Sequence, residues 1–187
     1  MLFSGDKLLG GPQCGIIAGR KALIEKIEHH PMARALRIGK LTLAALAGTL
    51  RLYRDPGRAC HGIPILQLLS TSVENLKNRA ERLAPQAAAT AAVREAKAVA
   101  DTSRLNGKHT PAREVPTWCI ALKPAVMTVD QFATALRTGA PPVVGRVKGD
   151  CVLLDLRSVP PRQDTQLVEA LDTLVKPKNS TKPLDQV

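Results

Sequence analysis

Aromatic side chains are almost absent from this 187-residue chain, which holds one Trp, one Tyr and two Phe. That scarcity excludes the aromatic platforms on which single-strand binders stack bases, so any nucleic-acid contact would be made mainly to phosphates. No apolar run approaches the roughly 20 residues that cross a bilayer, the Ile63 to Leu69 stretch being typical, and a membrane span is excluded. Met1 to Gly11 is interrupted by Asp6 and Lys7 and has no small-residue cleavage site, so it does not read as a signal peptide and the protein reads as cytosolic. The four cysteines, Cys14, Cys60, Cys119 and Cys151, form no CxxC pair and have no histidine at zinc-finger spacing. They read as free thiols. His29 and His30 lack a carboxylate or cysteine at ligand spacing and suit a helix C-terminus before Pro31.

Acidic residues are also few, 16 against 27 Lys plus Arg, which leaves a formal charge of +11. Such a field favours polyanionic partners, nucleic acid or phosphorylated ligands, although a plain basic surface has the same composition. The length predicts one domain or one and a half, enough for a sizeable core.

Phe3 to Gly19 carries five glycines and reads as strand ends and tight turns. Leu23, Ile24 and Ile27 predict an amphipathic helix over 20–29, ended by Pro31. The next helix, 40–53, is apolar around much of its circumference and is expected to be buried, with Asp55-Pro56-Gly57 stopping it. Ile63 to Leu69 is a short apolar segment, 72–84 reads as a helix, and 87–100 permits either helix or strand. Asn106 to Pro116 reads as a polar loop. Strands are predicted at 117–122, 142–147 and 151–156, the last two joined by a Lys148-Gly149-Asp150 turn. Helices are predicted at 130–138 and at 164–174, the latter capped by Asp164, with a disordered tail over 176–187. This order describes a small α+β domain beginning near residue 60 to 85.

Lys7, in Ser4-Gly5-Asp6-Lys7-Leu8-Leu9-Gly10-Gly11, sits in a glycine-bordered turn among apolar residues. Desolvation of such an amine favours attack on a carbonyl, whereas an ordinary surface turn lysine would look the same in sequence. Arg34 and Arg37, three apart, would project from one helical turn as an anion clamp or as a solvated basic face.

Phe3-Ser4-Gly5-Asp6-Lys7-Leu8-Leu9-Gly10-Gly11-Pro12-Gln13 resembles the cofactor-lysine segment of bacterial selenocysteine synthases, the L-seryl-tRNA(Sec) selenium transferases. Arg34 to Arg37, Lys40 to Leu46, Leu50 to Tyr53, Val115 to Trp118, Pro141 to Arg146 and Leu153 to Arg157 follow the family in the same order, covering most of 3–175. The resemblance implies an α/β chain: the C-terminal fragment of a fold-type I pyridoxal 5'-phosphate (PLP) transferase, with the end of the large domain over 1–60, a small α+β domain over 61–175 and the tail beyond. It implies that Lys7 holds PLP as an internal aldimine and that Arg34 and Arg37 bind selenophosphate. Seryl-tRNA(Sec) would pass through an aminoacrylyl intermediate to selenocysteinyl-tRNA(Sec), in a cytoplasmic homo-oligomeric ring of dimers. Asp6 would orient the loop without transferring a proton. The family's glycine-rich turn is replaced here by Ser103 to Pro111. The lysine lies well past the middle of the family's longer chain. The tRNA-binding N-terminal domain, the phosphate cradle and the partner of the cofactor's ring nitrogen are therefore expected upstream of this sequence. A non-catalytic remnant or basic interaction module, and a related PLP-dependent lyase acting on a small amino acid, are the alternatives.

Overall fold

The computed structural model describes residues 1–105 and 113–174. The chain divides into two compact units, Met1–Ser70 and Thr71–Val187.

In the first unit, β1 (Leu2–Ser4) and β2 (Gly15–Ile17) pair antiparallel, with Ser4 opposite Gly15 at the mouth of the connecting loop. Five helices follow: α1 (Lys21–Glu28), α2 (Pro31–Leu36), α3 (Lys40–Leu52), α4 (Pro56–Gly62) and α5 (Pro64–Ser70). Pro31 ends α1 and also occupies the first turn of α2, where the ring of His30 accepts a hydrogen bond from the Met32 N–H at 3.2 Å. Asp55-Pro56-Gly57 likewise stops one helix and starts another, since the Asp55 carboxylate accepts from the N–H groups of Gly57 (2.9 Å) and Arg58 (3.3 Å). The apolar segment after it is α5.

The apolar 40–53 helix is not enclosed within this unit. Only Leu46 of α3 is buried, while Leu41 is 88% exposed and Leu43 and Leu50 also face solvent. Within this unit one side of α3 has a neighbour, and hydrophobic composition does not supply the others. The apolar side chains buried in the unit are Cys14, Leu46, Ala59 and Ile63.

The second unit opens with α6 (Val73–Ala88), whose cap, the Ser72 hydroxyl, accepts from the Asn75 N–H at 3.2 Å. The helix passes the predicted end at 84 and runs through Pro85, with Leu83, Ala84 and Ala87 buried on either side of the missing N–H. Four antiparallel strands follow in the spatial order β3-β4-β6-β5: β3 (Val93–Leu105), β4 (Arg113–Pro124), β5 (Arg146–Lys148) and β6 (Cys151–Asp155). The ambiguous 87–100 stretch resolves at Val93 into strand, because β3 finds β4 as a partner along its whole length. Arg113 to Pro116, read as loop, belongs to β4 for the same reason; the rest of that loop, 106–112, lies outside the described residues, as does the tail. Ser103 to Leu105 of the expected turn are in β3.

Between the strands, α7 (Val129–Thr138) begins with a reciprocal capping box in which Thr128 and Gln131 satisfy one another's backbone N–H groups. The predicted 142–147 strand shrinks to β5, because Val143 donates its N–H to Leu136 O at 2.8 Å and so closes the end of α7 instead of entering the sheet. Lys148 faces Cys151 across the expected hairpin turn. The last helix is α8 (Asp164–Thr173).

Core packing follows the strand period of two. Ile120 and Leu122 of β4 and Val152 and Leu154 of β6 point to one face, where Leu76 and Leu83 of α6, Phe132 and Leu136 of α7 and Leu167 and Leu171 of α8 cover them. Alternate residues point the other way. Asp164 does not cap α8: the cap position is Gln163, and the Asp164 carboxylate is buried, accepting from Arg79 Nε (3.3 Å) and a terminal Arg79 nitrogen (2.6 Å) and from Arg82 (2.5 Å). Arg79 also donates to the carbonyls of Leu156 and Val159, so α6 is pinned to the turn after β6 and to the start of α8.

Candidate active site

The loop over 5–14 is folded back on itself by main-chain bonds. Gly5 N–H donates to Cys14 O at 2.8 Å, Gly11 N–H to Gly5 O at 2.8 Å and Gly10 N–H to Lys7 O at 2.9 Å. Two glycines are required. A Cβ on Gly5 would lie 2.4 Å from Cys14 Sγ and 2.7 Å from Pro12 O, and Gly10 has φ of +68° with a Cβ position 2.4 Å from Ile63 Cγ2. The loop is also held from the C-cap of α3, where the Tyr53 hydroxyl donates to Leu9 O at 3.0 Å. Sequence reasoning assigned Tyr53 no role, although it ends one of the segments that carry the family resemblance.

Lys7 stands at the crest of this loop. Its side chain is 76% exposed, and Nζ lies 3.3 Å from Asp6 Oδ2. The Ser4 hydroxyl donates to the other Asp6 oxygen, and that bond together with Lys7 holds the Asp6 carboxyl below its ordinary range. Asp6 therefore ties β1 to the lysine as an ionised acceptor.

Arg34 lies in the last turn of α2, but Arg37 is its C-cap, with extended backbone (φ −64°, ψ 142°). The two do not share one helical turn, because the helix ends at Leu36. Both are exposed, and neither has an ion pair among the described residues. Both belong to the same unit as Lys7, without a hydrogen bond or ion pair to it among the described residues.

A second polar constellation, unforeseen from sequence, lies on the sheet face opposite the helices of the second unit. One terminal nitrogen of Arg146 donates to Asp101 Oδ2 (2.9 Å), Asp155 Oδ2 (3.5 Å) and Cys119 Sγ (3.6 Å), reaching from β5 across β6 and β4 to β3. Lys148 adds a contact to Asp101 at 3.2 Å. Asp155 also accepts from the hydroxyls of Thr117 (2.6 Å) and Ser103. Burial pushes the Asp101 carboxyl up, but the Thr102 N–H, Lys148 and Arg146 outweigh it and hold the group below its usual range. Burial and the neighbouring Asp155 charge push the Cys119 thiol up to about 12. In the native protein at pH 8, iodoacetamide should modify the half-buried Cys60, label Cys151 more slowly because burial and Asp150 push its thiol up, and spare Cys119, as read by peptide mass spectrometry. Rapid labelling of Cys119 would contradict this.

These features define a mixed α/β protein that displays an accessible amine on a rigid, glycine-closed turn. The family model described as SelA: L-seryl-tRNA selenium transferase matches residues 1–160. The L-seryl-tRNA(Sec) selenium transferase of Moorella thermoacetica is 44% identical over 170 residues, which span 90% of this chain and 36% of the relative. Those of Nitratidesulfovibrio vulgaris and Hyphomonas neptunium are 44% and 40% identical over 158 and 159 residues, 84% and 85% of this chain and 34% of each relative. The chain belongs to the L-seryl-tRNA selenium transferase family, and it spans about 36% of the length of the first of these curated relatives. No helix among the described residues is long and apolar enough to cross a membrane.

Proposed function

We propose that these residues serve a cytoplasmic selenium transferase that converts L-seryl-tRNA(Sec) to L-selenocysteinyl-tRNA(Sec) with selenophosphate as donor. One observation carries the reading: Lys7 presents an accessible amine from a loop whose backbone is tied at Gly5, Gly10 and Gly11 and by Tyr53. That arrangement fits covalent attachment of an aldehyde cofactor, since the amine is reachable while its loop is held still. Pyridoxal 5'-phosphate, when bound, supplies the electron sink for loss of the serine hydroxyl. Lys7 Nζ is the attachment point, and Asp6 orients it without taking a proton. Arg34 and Arg37, exposed and without a carboxylate partner among the described residues, offer their guanidinium groups to the selenophosphate anion. On this reading 1–60 is the end of the large domain of a fold-type I enzyme, 61–175 is its small domain, and the enzyme works as a homo-oligomeric ring of dimers.

The test joins this chain to the portion of the Moorella thermoacetica relative that it does not span. The joined polypeptide should turn over seryl-tRNA(Sec) with selenophosphate. A folded, cofactor-loaded polypeptide without turnover overturns the reading. Replacing Arg34 or Arg37 by Ala should raise KM for selenophosphate roughly ten- to hundredfold, since a hydrogen bond to a charged group contributes about 1.5 to 3 kcal/mol, and should leave affinity for the tRNA unchanged. Equal losses toward both substrates would remove the arginines from the donor site.

A further inference from the structure

Beside the Arg146 constellation lies a cavity of about 410 Å³ whose lining includes Ser103, Arg104, Val144, Arg146, Asp155 and Ser158. It is within the size range of small-ligand sites. Three observations limit what it accepts. First, Asp101, Asp155 and Cys119 all engage the same terminal nitrogen of Arg146, so the guanidinium is held in place while Nε and its other terminal nitrogen make no hydrogen bond among the described residues. Nε–H points to the side already occupied by the engaged nitrogen, so the other terminal nitrogen, with its two N–H groups, is the donor that faces a phosphate oxygen. Second, the charges nearly cancel: Arg146 and Lys148 face Asp101 and Asp155, and Arg104 is 3.4 Å from Glu114. A free phosphate dianion gains little there, whereas a singly charged phosphodiester with a sugar and base to fill the space gains more. Third, no aromatic side chain among the described residues lines the cavity, but two guanidinium groups do, and guanidinium planes stack on unpaired bases.

We propose that this cavity holds one nucleotide of a single-stranded RNA end, with Arg146 gripping its phosphate and Arg104 lying against its base. The proposal deepens the reading of an aminoacyl-tRNA substrate given above and rests on it. Asp101 and Asp155 act as positioning residues, since they meet Arg146 and leave the phosphate to it.

The probe is a fluorescently labelled RNA trinucleotide of sequence CCA, titrated into the full 187-residue chain and followed by anisotropy. Saturable binding is expected. Contact with one phosphate predicts a salt slope of about −0.7, so tenfold more salt should weaken binding about fivefold. Arg146→Ala should weaken it at least tenfold. Because that variant strands two carboxylates, Val144→Trp is the second test: Val144 is 76% exposed and lines the cavity, so the indole blocks the space without breaking an ion pair. It should weaken binding similarly. The proposal is overturned if both variants bind like the parent, if inorganic phosphate displaces the trinucleotide at equal concentration, or if the salt slope reaches that of several phosphates. Failure of binding alongside turnover by the joined polypeptide would reject this cavity alone. Failure of both would reject the enzyme reading as well.

Discussion

Lys7→Ala in the joined full-length polypeptide is expected to abolish turnover of seryl-tRNA(Sec) and the absorbance of the covalently attached cofactor. A covalent attachment point has no partial substitute, because the neighbouring Leu8 and Leu9 bring no amine and Asp6 brings only a carboxylate. Borohydride reduction of the parent polypeptide followed by peptide mapping should place the reduced adduct on Lys7 alone. An adduct on another lysine, or full activity in the Ala variant, would refute the assignment. Gly10→Val tests the loop rather than the amine. Its φ of +68° and the 2.4 Å approach to Ile63 mean that a side chain there must move the turn that begins at Lys7 O. Attachment should then fall although the lysine is intact.

The largest loss of stability is expected from Asp164→Ala. The carboxylate and Arg79 are each 8% exposed, and the aspartate also receives Arg82. Removing it leaves the Arg79 cation buried with only the carbonyls of Leu156 and Val159 as acceptors. Breaking a buried pair in this way costs about 3 to 5 kcal/mol, whereas replacing both partners by apolar residues costs much less. Trp118, the sole tryptophan, packs against the core of the same unit, so its fluorescence in a urea titration reports on that unit alone. Asp164→Ala should move the midpoint sharply down, and Arg79→Met combined with Asp164→Leu should recover much of the difference. An Ala variant with the parent's midpoint would show that the pair carries no such energy.

Local patterns were legible where neighbouring residues decide the outcome. The 20–29 and 130–138 helices, the 151–156 strand and the 148–150 turn are set by apolar spacing and by breakers a few residues away. The Lys7 loop was legible for the same reason, since clustered glycines mark a turn locally and Gly5 is crowded from within the loop, whereas the crowding of Gly10 by Ile63 was not legible. The extent of β3 and β4 was not, because a strand continues only as far as a partner is present, and that partner lies about 20 residues along the chain. Val143 was read as strand because its β-branched neighbours say so, but a carbonyl at the end of α7 claims its N–H.

By itself, then, the order of residues determined the family, the lysine turn, the basic charge and most helices, all consequences of short-range chemistry. Tertiary structure alone decided that α3 shows its leucines to solvent, that Arg37 leaves the helix carrying Arg34, and that Asp164 meets Arg79 instead of capping. It also gathered Asp101, Cys119, Arg146 and Asp155, up to 54 positions apart, onto one sheet face. Strand register governs which side chains face one another, and register is a property of paired strands that no single stretch of sequence contains.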